Sequence, residues 1–311
     1  MKRSRLLTRL WEFQDEHGFI SDNAISEISQ KLHVSKIEIE GVISFYHFFH
    51  RKTTCKYIIY LNNSIISEFK GFAEVKSAFE KETSCTFGDY GSHQLFSLFE
   101  TSCIGLSDQE PAALINFYPF TDLNPEKVKW IIDELKNGKE PEDLADNPVS
   151  RIQYTPDEEK TVFFRPHEAG SVLKTLKQFD RKDVLESIKQ AQRAGRGGAF
   201  FPTGMKWEFC MNSEHEKKYV ICNADEGEPG TFKDKALLSR LPELILEGMI
   251  IAGYITGAQH GFIYLRAEYR YLKPKLEKVL NEYYQNGYLG NHCCGMMDFN
   301  FDIEIELGAG A

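Results

Sequence analysis

The chain has 311 residues, 42% of them hydrophobic and 13% aromatic, which suits about two domains with real cores and argues against long disorder. Its 37 basic and 46 acidic side chains give a formal net charge of −9, which disfavours a nucleic-acid or anionic-membrane surface as the main business of the molecule. The seven cysteines are irregularly spaced and include no C-x-x-C, so taken alone they give neither a disulfide framework nor a metal site.

The basic start Met1-Lys2-Arg3-Ser4-Arg5 is followed by Thr8, Arg9 and Glu12 rather than a signal-peptide core. No run approaches the ~18 apolar residues of a membrane helix. The expected location is the cytoplasm, with no direct membrane insertion and no nucleic-acid partner.

Residues 1–52 carry helical periodicity. Leu6, Leu10 and Trp11 mark one apolar face, Ile25, Ile28 and Leu32 a second, and Ile37 to Phe49 a third. Ser21 and Ser35 supply N-cap chemistry, so a small helical bundle is predicted. Residues 53–140 change period. Tyr57–Leu61, Leu95–Phe99 and Ala112–Phe117 read as strands, Phe72–Lys81 as a helix, and Pro125 opens another helix to Leu135. This β-α-β-β-α order fits a thioredoxin-like layer. Residues 141–162 are polar and proline-containing, and read as a linker or covering loop. Residues 163–311 alternate helices with strands at Lys218–Cys222, Gly261–Arg266 and Phe299–Leu307, which predicts an α/β domain with a parallel sheet.

Three segments carry possible chemistry. Four glycines lie between Gly195 and Gly204, with Arg193 and Arg196 beside them. Such a loop is either a surface turn or a backbone cradle for an anion or a cofactor ring. It is not the usual dinucleotide fingerprint, because Phe200 stands at the third glycine and the preceding segment reads as helix. In the second segment, strand Tyr219–Cys222 runs into Asn223-Ala224-Asp225-Glu226-Gly227-Glu228-Pro229-Gly230. The carboxyl end of a strand is where α/β sheets bind ligands. Its acids also fit a solvated turn, or Mg²⁺ or Ca²⁺ held by Asp225, Glu226 and Glu228. The third segment, Gly308-Ala309-Gly310-Ala311, permits close backbone approach after a strand.

Read together, GRGGA-x-FPTG-x-KW, CNADE-x-EPGTFKD and GAGA resemble the flavin subunit of NADH dehydrogenases, a family that also serves NAD-reducing hydrogenases and NAD-linked formate dehydrogenases. Gly41–Phe49 (GVISFYHFF) and Thr101–Leu114 (TSCIGLSDQEPAAL) are similar to the thioredoxin-like [2Fe-2S] subunit of the same enzymes. Fusion of the two in one chain most resembles the flavin-bearing diaphorase subunits of soluble NAD-reducing [NiFe] hydrogenases.

The resemblance implies that Gly195, Arg196, Gly197 and Gly198 shape a loop against FMN. It further implies that Phe201, Lys206 and Phe209 face NADH, and that Asn223, Asp225 and Glu226 lie at the flavin edge. Glu228 is implied as the catalytic acid near the nicotinamide nucleotide. The reaction implied is hydride transfer from NAD(P)H to FMN, with electrons passing singly to iron–sulfur clusters of partner diaphorase and hydrogenase subunits. Respiratory NADH:quinone oxidoreductase and formate dehydrogenase partners are the alternatives, as is a non-catalytic assembly or docking protein.

Three departures from the family pattern matter. Phe200 replaces a loop glycine, and either narrows the cleft or points to solvent. The family's Cys-x4-Cys and Cys-x3-Cys ligands fall on Asn62, Ser67, Cys103 and Ser107, so one thiolate of four remains and no [2Fe-2S] cluster is expected. The family motif continues after GAGA into flavin-completing residues and a [4Fe-4S] C-x2-C-x2-C run. The chain is therefore expected to be the first part of a longer subunit, with an incomplete sheet that leaves an unpaired edge, and with little flavin binding and no turnover by itself.

Overall fold

The computed structural model describes residues 3–91, 95–148, 167–196 and 198–310. Three helices come first: α1 (Leu6–His17), α2 (Asp22–Leu32) and α3 (Lys36–Phe45). Ser21 accepts from the Ala24 amide and Ser35 from the Glu38 amide, so both expected caps are made.

A four-stranded sheet follows. Its elements are β1 (Tyr57–Asn62), α4 (Ile65–Phe69), α5 (Phe72–Thr83), β2 (Phe96–Thr101), β3 (Ala113–Ile115), β4 (Tyr118–Phe120) and α6 (Pro125–Lys136). The strand order is β2-β1-β3-β4, with β1 and β2 parallel and the other two pairings antiparallel. The expected third strand, 112–117, is cut at Ile115 by a hairpin turn in which Asn116 and Phe117 have φ of 49° and 66°. Two consecutive left-handed residues give the turn whose twist matches the strands it joins. Pro119 is tolerated in β4 because that strand is the sheet edge.

Alternation along β1 divides the two faces. Tyr57, Ile59 and Leu61 pack with Val75, Phe79, Val128 and Ile132 of α5 and α6. Tyr60 packs on the other face with the α1–α3 bundle. Residues Pro141–Leu144 form a short helix, α7, and the chain stays on this layer as far as residue 148. Asp146 accepts from the Thr121 amide and from Lys127 Nζ at 2.7 Å. Most of the expected linker, 149–162, lies outside the described residues.

The second unit begins with α8 (Ser171–Leu176), α9 (Arg181–Gln190) and α10 (Thr203–Met211). It continues through β5 (Tyr219–Ala224), α11 (Lys233–Arg240), α12 (Pro242–Thr256), β6 (His260–Leu265), α13 (Lys273–Gln285) and β7 (Asp302–Leu307). The three strands are parallel in the order β5-β6-β7, with Tyr219 opposite His260 and His260 opposite Asp302. Leu246, Met249, Ile250 and Tyr254 of α12 share a core with Ile263 and Leu265 of β6 and with Leu276 and Leu280 of α13. On the outer strand β5, Tyr219 and Ile221 are exposed.

The two units share a core. Ala267, Leu307 and Ala309 pack with Trp11, Phe48, Leu106 and Phe117. Trp11 Nε1 donates to the Gly308 carbonyl at 2.9 Å. A Cβ on Gly310 would lie 2.6 Å from both His47 and Phe48. The small-residue segment after β7 does permit close approach, and what it approaches is the N-terminal bundle.

Candidate flavin and nicotinamide site

The glycine-rich loop lies between α9 and α10. An antiparallel bridge between Ala194 and Pro202 closes it. Gly195 N donates to Phe201 O at 2.9 Å and Thr203 N to Arg193 O at 2.8 Å. Gly197 lies outside the described residues. Arg196 and Gly198 are exposed. Ala199 is exposed beside Gly198. Phe200 takes φ 51° and is 64% exposed, as its neighbour Phe201 and Phe209 are exposed.

The loop leads into α10, which sequence reasoning missed because Pro202, Gly204 and two aromatics hide its period. Lys189 to Glu208, at 2.6 Å, pins α10 to α9. Phe201 and Phe209 are exposed with ring centroids 6.3 Å apart, and Lys206 is exposed on α10.

The second segment leaves the carboxyl end of β5. Asn223, Asp225 and Glu228 are exposed there, and Asn223 Oδ1 accepts from the Asp225 amide at 3.1 Å. Glu226 does not join them. It is buried, and accepts from Asp234 N at 2.9 Å and from Tyr269 Oη at 2.8 Å. A carboxylate so engaged closes the base of the loop onto the start of α11. The acids therefore diverge, and no three metal-binding side chains come together among the described residues. The reading of Asp225, Glu226 and Glu228 as a cation site is not supported.

A charged network behind Glu226 gave no signal in the sequence beyond two charges, Arg266 and Glu268, at the end of an apolar strand. Arg266 donates to Glu268 at 2.6 Å, to the Cys103 carbonyl at 2.8 Å and to the Glu226 carbonyl. Lys235 is fully buried, with Nζ 3.3 Å from Asp108. A recess of about 540 Å³ between α1, α13 and β7 contains none of the expected site residues. The candidate site is open surface.

The four positions expected for [2Fe-2S] ligands are all buried. Cys103 Sγ lies 3.4 Å from Ser107 Oγ. Asn62 Nδ2 donates to the buried Glu110, and Asn62 Oδ1 accepts from the Ser64 amide. Ser67 interacts with the same buried Glu110 carboxyl. One thiol, two hydroxyls and a committed amide do not fit a cluster that needs four thiolates or comparable donors. Burial pushes Glu110 up to about 7, against the opposing pull of Asn62 and the Ala112 amide.

Comparison with known proteins gives two family matches, a thioredoxin-like [2Fe-2S] ferredoxin over residues 1–136 and a Nuo51 FMN-binding domain over 188–311. The first stands against the expectation that no [2Fe-2S] cluster is held. The NAD-reducing hydrogenase HoxS subunit alpha of Cupriavidus necator is 44% identical over 99% of this chain and 53% of its own length. The NADP-reducing hydrogenase subunit HndC of Solidesulfovibrio fructosivorans is 43% identical over 42% of this chain and 26% of its own. A chain of the air-oxidized NAD⁺-reducing [NiFe]-hydrogenase superposes with a TM-score of 0.81 at 31% identity, covering 99% of this chain and 52% of that one. The chain thus spans about half the length of the relative that matches it end to end. It joins a segment matching the thioredoxin-like [2Fe-2S] ferredoxin family to one matching the Nuo51 FMN-binding domain, and along nearly its whole length it is similar to the alpha subunit of an NAD-reducing hydrogenase.

Proposed function

We propose that residues 163–311 carry FMN- and NADH-facing surface of a diaphorase module, and that residues 1–140 dock it within a multisubunit hydrogenase. The observation that carries this reading is the exposed glycine-rich loop at 198–199 next to α10, together with the exposed Asn223, Asp225 and Glu228 at the carboxyl end of β5. Bound flavin supplies the acceptor for a hydride from NAD(P)H and passes electrons on singly to iron–sulfur clusters.

The chain's own groups bind and orient. In the loop of Gly195, Arg196, Gly197 and Gly198 the Gly195 amide is taken by Phe201 O, which leaves Arg196 to offer a cation and Gly198 an exposed backbone amide to the flavin. Asn223 and Asp225 offer polar edges at the strand end, while Glu226 holds that segment from behind. Phe201 and Phe209 offer stacking faces, Lys206 a charge for nucleotide phosphate, and Glu228 an acid beside the nicotinamide nucleotide.

The family match over residues 1–136 supports a layer of the [2Fe-2S] ferredoxin type, in which Asn62, Ser67 and Ser107 supply no thiolate at three of the four expected ligand positions. No residue of the chain is assigned to a [4Fe-4S] cluster. Identity over 99% of the chain favours the hydrogenase reading over a respiratory or formate dehydrogenase subunit and over a docking protein without catalysis. A cytoplasmic location agrees with the absence, among the described residues, of any helix long and apolar enough to cross a membrane.

The test uses the complex purified with its flavin. Lys206→Ala is expected to raise KM for NADH about tenfold in dye reduction while leaving FMN content unchanged, as loss of one charged phosphate contact does. An unchanged KM removes Lys206 from the site. A complex whose only flavin lies on another subunit overturns the reading.

A further inference from the structure

The turn Gly227–Phe232, exposed from Gly227 to Gly230, makes only local hydrogen bonds among the described residues. Gly227 N reaches Asp225 O, and both Thr231 N and Thr231 Oγ1 reach Glu228 O. Nothing in those bonds fixes where the turn sits relative to the rest of the molecule. Its position is set at its base, where Glu226 takes the Asp234 amide and Tyr269 Oη, and where Lys235 enters the interior.

The base is held from the other unit. Lys235 Nζ sits 5.3 Å over the Phe232 ring and 3.3 Å from Asp108 Oδ1, and Asp108 belongs to the 103–110 segment of the thioredoxin-like layer. From the same segment the Cys103 carbonyl takes Arg266, which also reaches the Glu226 carbonyl. A buried ammonium is costly to hold unless an anion faces it. Among the described residues Lys235 has one ion-pair partner, and that partner lies 127 positions away in sequence.

We propose that Asp108 and Lys235 are positioning residues: the charge pair lets the N-terminal layer hold the flavin-edge turn, residues 223–232, in its working place. Asp108 is the better lever of the two because its side chain is 21% exposed, so its amide variant can be hydrated. The role deepens the flavin-site reading and rests on it for its purpose, although the bracket itself is a matter of the chain's own contacts.

The experiment compares the parent full chain with Asp108→Asn, Lys235→Met, the double variant and Lys235→Arg. Amide hydrogen exchange is read without flavin, followed by FMN titration on the same preparations. Asp108→Asn and Lys235→Met are each expected to speed exchange at residues 226–235 and to weaken FMN about tenfold, the size of a broken coupled contact. The double variant is expected to be no worse than Lys235→Met, and Lys235→Arg to keep most of the protection. Strictly additive effects overturn the proposal. So does an Asp108→Asn protein with parent-like exchange at 226–235, or with exchange raised equally in both units. A parent chain that takes up no FMN agrees with the incomplete site expected of it, and the flavin-free exchange comparison then decides the bracket.

Discussion

Glu110 is an acid kept in the interior by Asn62 Nδ2, the Ala112 amide and Ser67. Burial nonetheless outweighs those bonds, and its carboxyl titrates near 7 instead of its ordinary 4.5. A folded-state value above the unfolded one means that the native protein binds the extra proton. The stability this gives is full below about 4.5 and is lost as pH rises through about 7. His50 works in the opposite sense, since burial lowers it to about 4 and its contribution is lost as pH falls from 6.5. The wild-type profile therefore hides both. Glu110→Gln is expected to remove one of the two slopes, so that the stability difference between parent and variant shrinks by about 3 kcal/mol between pH 4.5 and 7. Urea unfolding across that range checks it, and a constant difference would count against a titrating Glu110.

At the scale of elements, what could be read in the sequence was what repeats. The amphipathic helices α1, α2 and α6 and the alternation of β1 have periods that name their faces, and Ser21, Ser35 and Pro125 mark where helices begin. β4 and α10 were not legible. A turn made by Asn116-Phe117 lacks the glycine that signals a hairpin, and α10 starts inside a segment whose glycines argue for loop. Of the candidate site, the residue types were legible but not their directions. Glu226 reads like its neighbours Asp225 and Glu228, and only the fold turns it inward. Asp108, Lys235 and Arg266 meet from three distant places, so no local pattern could announce them. Helix α12 shows how far direction matters. A Cβ at Gly248 would meet nothing, whereas one at Gly253 would lie 2.7 Å from the Phe301 ring. Gly248→Ala is expected to stabilise by about 0.5–1 kcal/mol through helix propensity. Gly253→Ala gains the same propensity but overpacks the α12–Phe301 contact, for a net loss of about 1–2 kcal/mol. Thermal unfolding of the two variants should shift in opposite directions, and a shared upward shift would show that Phe301 yields freely.

The whole molecule behaves as one body if the shared core is as continuous as its contacts. Trp11 is the residue where that continuity is most concentrated. Its ring lies 5.1 Å from Phe49 and 5.6 Å from Phe117, and the Arg270 guanidinium sits 5.2 Å over it. Arg270 in turn holds Asp15 of α1 through both carboxylate oxygens, at 3.0 and 2.6 Å. The indole N–H meets the Gly308 carbonyl just past β7. Removing the side chain thus takes away a bundle contact, a thioredoxin-layer contact and a flavin-domain contact together. Trp11→Ala is expected to cost about 3–5 kcal/mol, the usual range for truncating a buried aromatic. If the units depend on one another, the loss is felt on both sides of the boundary. Slowest-exchanging amides in β1 and in α12 should lose protection by the same amount, and unfolding should remain a single transition by circular dichroism and fluorescence. Loss of protection confined to residues 3–148, with α12 and β6 left at parent values, would show instead that the flavin-domain portion stands on its own core.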